Sequence, residues 1–274
     1  MIEKSAVYAF LILTALIFLF PLFWIVKTSF LPPLGGVESY TIGGLFATEG
    51  FTLESYFDVY LQSTYPQYLL NSFIIVLSTV ALVTVMGTLA GYALARFPIR
   101  GKENFFFFAL TTRMGPPVTF ALPFFILMTQ SGLIDTHIGL TIVYTFANLA
   151  FAIWMSRSFF EEVPPDLEEA AMVDGATRLQ ALRRVVLPVV TPGIIATAIV
   201  VFIFAWNEFF YASILTRQFA KTFTVNLPGY FSTRDIRWGS VAAASTVAAI
   251  PPIVFAIIAR KWIIRGMTFG AVKG

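Results

Sequence analysis

The chain has 274 residues, of which 58% are hydrophobic and 12% charged, and its mean hydropathy is +0.81. Soluble domains carry roughly 25% charged residues, so the composition excludes a soluble globule and indicates an integral membrane protein. The absence of cysteine and the single histidine exclude a disulfide framework and a thiolate metal site, and the net charge of +3 reads as a topology signal rather than as nucleic-acid binding.

Crossing a bilayer as a helix takes about 20 mostly apolar residues. Six stretches meet that requirement, at about 7–26, 69–95, 105–130, 138–156, 193–215 and 239–259. They are continuous rather than alternating, which rules out a barrel. The fold class is therefore an all-α integral membrane protein, one transmembrane domain over 1–274 with no sizeable soluble domain. An even number of spans puts both termini on one side, and Lys/Arg placement selects it. Lys4, Arg96, Arg100, Lys102, Arg157, Arg178, Arg183, Arg184, Arg260, Lys261, Arg265 and Lys273 lie in one set of connections and near the termini, which are placed in the cytoplasm. The outer segment after the first span agrees, with Glu38, Glu49, Glu54 and Asp58. The outer loop 216–238 violates the rule, because Arg217, Lys221, Arg234 and Arg237 face only Asp235.

In chain order, the first span is an uncleaved anchor, its apolar run being too long for a signal peptide and lacking a small-residue cleavage pattern after Val26. The outer segment Thr28–Gln67, with Pro32, Pro33, paired glycines at 35–36 and 43–44 and an aromatic stretch around Tyr56–Tyr60, reads as a loop with one short interfacial helix. The second span carries Gly87 and Gly91, and the sixth carries Ser240, Ala244 and Ala248. Small residues at that spacing let helices approach closely, for packing or along a substrate path. The third span is broken at Met114, Gly115, Pro116 and Pro117 and again meets Pro123. Such breaks at membrane depth must be buried in protein or face a water-filled cavity. Arg113 lies beside the break, where it either snorkels to the interface or lines a path. His137 falls in a short outer turn as a solvated loop residue. Asn148 in the fourth span joins the candidates for a path.

The fifth span starts at Pro192 and Gly193 and holds Trp206, Asn207 and Glu208, the last being the only acid within a span. A charge there costs about 2.5–3.5 kcal/mol, so Glu208 lines a path or makes a structural contact. Among the aromatics, Tyr92, Tyr144 and Trp206 could stack on a sugar.

Between the fourth and fifth spans lies a polar element at about 163–190. Six of the fifteen acids occur from Glu161 to Asp174. Pro164 and Pro165 stop one helix and start another; Asp166 and Glu169 have capping-box spacing, and Gly175 supplies a left-handed turn. Thr177 and Gln180 repeat the box, and Pro188 breaks the second helix. The prediction is a cytoplasmic helix-turn-helix.

Glu169-Ala170-Ala171, Asp174-Gly175-Ala176, Leu187-Pro188 and Pro192 resemble the EAA signature of permease subunits of binding-protein-dependent ABC importers. The carbohydrate branch of that family is resembled by Asn71-Ser72, Tyr92-Ala93-Leu94-Ala95-Arg96-Phe97, Thr112-Arg113-Met114, Phe204-Ala205-Trp206-Asn207-Glu208-Phe209 and the tail Gly270–Gly274. The resemblance implies a heterodimer with a second permease, an ATPase dimer, an extracytoplasmic solute-binding protein and a sugar-like solute, in a bacterial-type inner membrane with lipid around it. It implies that Glu169, Ala170, Ala171, Asp174 and Gly175 form the ATPase-coupling positions, with Leu187 and Pro188 the exit, that the tail from Arg265 reaches towards the ATPase, and that loop 216–238 meets the binding protein. No P-loop run occurs here, so energy must come from a partner or a gradient; the resemblance implies that ATP and Mg are bound by partner subunits and that no cofactor is held in this chain. The runner-up is an ion-coupled secondary transporter titrating Glu208. A membrane enzyme lacks a catalytic constellation.

Overall fold

The computed structural model describes residues 2–33, 50–230 and 236–269. The paired glycines at 35–36 and 43–44, Glu38, Glu49, Arg234, Asp235 and the tail Gly270–Gly274 lie outside the described residues. Every element among those described is helical: α1 (Ile2–Thr28), α2 (Glu54–Tyr60), α3 (Tyr65–Arg96), α4 (Lys102–Met114), α5 (Pro117–Gln130), α6 (His137–Glu162), α7 (Pro165–Val173), α8 (Arg178–Ala181), a π-helical turn (Leu182–Val186), α9 (Leu187–Trp206), α10 (Phe210–Leu215), α11 (Phe223–Asn226), a 3-10 turn (Leu227–Tyr230) and α12 (Trp238–Phe269).

Among the described residues, five stretches are long and apolar enough to cross a bilayer: Val7–Thr28, Tyr65–Arg96, His137–Glu162, Arg178–Trp206 and Trp238–Ile258. The expected third span is instead two helices of 13 and 14 residues, each only about 20 Å long at 1.5 Å per residue. The cause is local. Gly115 and Pro116 are both extended, with ψ of 142° and 136°, as residues preceding proline favour, and Pro117 then opens α5 where its missing N–H costs nothing.

The chain divides into two compact units. The first comprises residues 1–70 and 223–251. Here the short helix expected in the outer segment is α2. Its Ser55 Oγ donates to Leu31 O at 2.6 Å, and the hydroxyls of Tyr56 and Ser29 share a hydrogen bond of 2.7 Å. Gly239 at the start of α12 is held so close that a Cβ would lie 2.3 Å from Ser55 Oγ and 2.6 Å from Pro32 O. Asp58 accepts hydrogen bonds from Arg237 Nη2 and Ser240 Oγ. That pair answers part of the charge imbalance noted for loop 216–238: Arg237 is paired with Asp58 from the segment that follows α1. Tyr65, fully buried, donates its hydroxyl to Ala244 O at 2.9 Å, so the small face of α12 serves packing.

The second unit holds residues 71–222 and 252–274. Gly87 and Gly91 press α3 against α6; a Cβ on Gly91 would come within 2.6 Å of Ser156 Cβ and 2.7 Å of Arg157 N, and one on Gly87 within 2.7 Å of Ala152 Cβ. Gly193 does the same for α9 against the Phe159 ring of α6, at 2.5 Å. One buried cluster joins Val83, Ala152 and Val201. Another joins Tyr92, Phe160, Val163, Leu182, Val186 and Val190, so the end of α3, the end of α6 and the π-helical turn share one core.

Three expectations around the fifth span are corrected. It does not begin at Pro192–Gly193, and Pro188 does not break the chain before it: α8, the π turn and α9 run on without interruption from Arg178 to Trp206. The π turn explains why. Leu187 N donates to Leu182 O, five residues back, so the hydrogen-bond register slips immediately before Pro188, which enters the first turn of α9 where a proline is tolerated. At the far end the helix stops at Trp206 rather than running to 215, and α10 begins anew after Phe209.

Candidate functional site

The polar element builds its shape from caps. Pro164 precedes α7, Pro165 occupies its first turn, and no side chain caps it; Asp166 is therefore not the cap, because the proline already starts the helix without needing one. At its other end Gly175 has φ +92°, its N–H donates to Met172 O at 3.1 Å, and Ala176 N–H donates to Ala171 O at 3.0 Å. These two bonds are the Schellman closure of a helix by a left-handed glycine. Thr177 then starts α8 with a reciprocal capping box: Gln180 N donates to Thr177 Oγ1 at 3.3 Å, and Thr177 N to Gln180 Oε1 at 2.8 Å. Helix, left-handed turn and helix are thus closed by main-chain and side-chain bonds on both sides of Gly175.

Within this element Glu169, Ala170, Asp174 and Gly175 are exposed and Ala171 is half-buried. Leu187 and Pro188 sit where the π turn meets α9. The residue that sequence reasoning missed is Glu168. It is 4% exposed, accepts hydrogen bonds from the Tyr92 hydroxyl and Arg96 Nε, and pairs with the Arg96 guanidinium at 3.2 Å. The available signal was the pair Tyr92 and Arg96, four residues apart and so on one face of α3.

The path candidates sit on α4, α6, α9 and the α9–α10 joint, and the Tyr144 hydroxyl beside Asn148 donates to Glu208 O at 3.3 Å. Arg113 donates from Nη1 to Ala147 O at 2.7 Å and lies 5.0 Å over the Phe204 ring. It lines, with Thr112, Gly115, Pro117, Phe120, Phe146, Ala147, Ala150 and Tyr211, a cavity of about 50 Å³ at the break between α4 and α5. Ligand pockets run to about 300–1,000 Å³, so that space is too small for a sugar in this chain alone. Asn148, 3% exposed, donates Nδ2 to Tyr144 O at 2.8 Å, while its Oδ1 has no partner among the described residues. Trp206 is 2% exposed, stacked on Phe202 at 5.5 Å and edge-on to Phe73 at 4.8 Å. Asn207 is exposed and donates Nδ2 back to Ile203 O at 2.8 Å. Glu208 accepts from Tyr211 N at 3.0 Å and Ala212 N at 3.2 Å, which places it in a break between α9 and α10 rather than inside a continuous span. All three candidate stacking aromatics, Tyr92, Tyr144 and Trp206, are buried side chains of this unit, which removes them from a sugar-facing surface of the single chain.

The loop that follows α10 is organised by a second missed acid. Asp135, at φ +55°, accepts hydrogen bonds from the main-chain N–H groups of Arg217, Gln218, Phe219 and Ala220 at 2.9–3.3 Å. Asn71, fully buried, donates to Phe219 O and Lys221 O and accepts from His137 Nε2 at 2.9 Å. His137 is therefore the first residue of α6 and a bonded one, not a solvated loop residue. Burial pushes the Asp135 carboxyl up, but the four amide donors outweigh it and hold its pKa below the usual carboxylate value. A depressed folded pKa contributes stability above the unfolded value and loses it as pH falls through the folded one. We expect Asp135→Asn to weaken the loop by roughly 1–2 kcal/mol, read as about tenfold faster hydrogen exchange at amides 217–220 near neutral pH, and to abolish the loosening that the parent undergoes on acidification. Equal exchange in the two proteins would dismiss the clamp.

A helical membrane subunit with a break in the third apolar stretch and a capped helix-turn-helix before the fifth defines a class, that of polytopic transport components. The chain belongs to the family of binding-protein-dependent transport system inner membrane components, which matches residues 84–269. It is 36% identical over 268 residues to the trehalose/maltose transport system permease protein MalG of Thermococcus litoralis, covering 96% of this chain and 94% of that one. It is 37% identical over 259 residues to the trehalose transport system permease protein SugB of Mycobacterium tuberculosis, covering 93% of each. Its fold is similar to a chain in the crystal structure of a bacterial ABC transporter involved in import of the acidic polysaccharide alginate, with TM-score 0.78, 25% identity and coverage of 95% and 96%. The chain is thus a permease subunit of binding-protein-dependent transport, and the ion-coupled alternative is set aside.

Proposed function

We propose that this subunit forms half of the translocation path for a sugar or related polar solute and couples it to ATP hydrolysis in a partner ATPase. The observation that carries the coupling is the face of α7 turned outward: Glu169, Ala170 and Asp174 are exposed together with Leu167 and Val173, the last 87% exposed. Apolar and small side chains on a rigid, polar-rimmed helix suit a protein cleft. In this reading Glu169, Ala170, Ala171, Asp174 and Gly175 contact the ATPase, Leu187 and Pro188 lead the motion into α9, and both termini are cytoplasmic. The α4–α5 pair acts as the third of six spans, its broken centre beside Arg113 facing the path made with a second, related permease. Loop 216–222, fixed by Asp135 and Asn71, receives the solute-binding protein. A sugar is favoured because the relatives are named for trehalose, maltose and alginate.

The test is purification of the tagged chain from its native membrane. An ATPase subunit and a second permease should copurify, and proteoliposomes given ATP and the cognate binding protein should take up labelled oligosaccharide. Purification of the chain alone, with uptake driven by an ion gradient, would overturn the reading.

A further inference from the structure

The helix turned outward at Glu169 has an inward side that the docking role leaves unused. Glu168 points there, and a carboxylate is almost never fully buried unless paired. Both oxygens are engaged: Oε1 by the Tyr92 hydroxyl and Oε2 by Arg96 Nε. Arg96 also donates Nη2 to Val163 O at 2.6 Å, the residue that ends α6, and its side chain is 9% exposed. Tyr92 is itself wedged edge-on against Phe97 and Phe160, at 5.9 and 5.4 Å. A second tie runs from α8, where the Arg178 guanidinium lies 5.0 Å over the Phe97 ring just past the end of α3.

Two routes therefore leave α7. One is the chain itself, through Gly175, α8 and the π turn into α9. It contains a glycine turn and a π turn, both of which can absorb a displacement. The other is the direct clasp of Glu168 on the last turn of α3, which contains no flexible link. A buried ion pair is a weak source of net stability, yet removing one partner strands the other charge. Such a pair is suited to holding two elements in register.

We propose that Glu168 is a positioning residue that locks α7 to the end of α3 through Tyr92 and Arg96, so that movement of the docked helix is delivered to the second span as well as to the fifth. The inference rests on the coupling role proposed for α7. It predicts uncoupling, not simple loss of function.

The test uses the whole complex in proteoliposomes with ATP and the loaded binding protein. Glu168→Gln should lower uptake about tenfold while ATP hydrolysis falls far less, so that ATP consumed per solute rises severalfold. Tyr92→Phe, which keeps the ring in its core and removes only the hydroxyl, should raise the ratio by a smaller factor; it decides the matter if Glu168→Gln fails to accumulate. Arg96→Lys should restore part of the coupling lost in Arg96→Met. Uptake and hydrolysis falling by one common factor, or a parental ratio in Tyr92→Phe and Glu168→Gln, would overturn the lock. If the parent chain carries no ATPase at all, the coupling role itself fails, an outcome read before any variant is made.

Discussion

Gly175→Val is expected to abolish solute uptake while leaving the protein in the membrane at its normal level. The argument is conformational rather than steric. A Cβ at residue 175 would meet nothing within 4 Å, so no clash unfolds the neighbourhood. The backbone there has φ +92°, a region in which a β-branched residue is a genuine outlier and each such residue costs about 1–3 kcal/mol. The element can escape that cost only by abandoning the Schellman bonds from Gly175 and Ala176, which swings α7 relative to α8. The core beneath, with Tyr92, Phe160, Leu182 and Val186, contains no part of the turn and should hold the rest of the chain folded. Gly175→Asn should retain much more uptake than the valine variant, because asparagine tolerates left-handed backbone. Uptake per unit of membrane-inserted protein is the measurement. Normal uptake by Gly175→Val would sink the role of this turn.

That prediction came from residues whose meaning is local, and the contrast with the rest of the chain is physical. Gly175, the Thr177–Gln180 box and the break at Gly115–Pro116 are legible because their bonds are made within a few residues. The four apolar helices other than the fifth were legible by length alone. Pro188 misled because a proline's effect depends on the hydrogen-bond register reaching it, and the π turn that resets that register has no composition of its own. Glu168, Asp135 and Asn71 were missed as site-building residues for the opposite reason: their partners lie 72 to 76, 82 to 85 and 66 to 150 residues away, beyond any periodicity. One of the basic loop's four cations, Arg237, has its counter-charge in Asp58, 179 positions away, which is equally invisible to periodicity. Burial also reversed the reading of Trp206 and Tyr144, since an aromatic in a span looks the same in sequence whether it faces a path or a core.

Glu208 tests how far the same reversal extends. Read along the sequence it is a lone acid in a span and a candidate proton carrier; in the fold it stands between two helices and accepts from amides in the first turn of α10, Tyr211 N on one oxygen and Ala212 N on the other. Negative charge at a helix N-terminus is favourable, and amides at membrane depth need internal acceptors. Glu208→Ala removes this acceptor from both amides at once, at about 1–3 kcal/mol for each unsatisfied group. We expect little folded protein in the membrane and no uptake. Glu208→Gln keeps one carbonyl oxygen and turns an NH2 towards the second amide, so it should lose about half as much stability as the alanine variant. Its residual uptake should track the amount of folded protein and follow the parental pH profile. If Glu208→Gln accumulated normally yet lost uptake, or altered its dependence on pH, the carboxyl would be acting on protons or solute, and its place among the path residues with Arg113 would be restored. A loss that follows folded protein alone assigns Glu208 to the joint between α9, which ends at Trp206, and α10, which begins at Phe210.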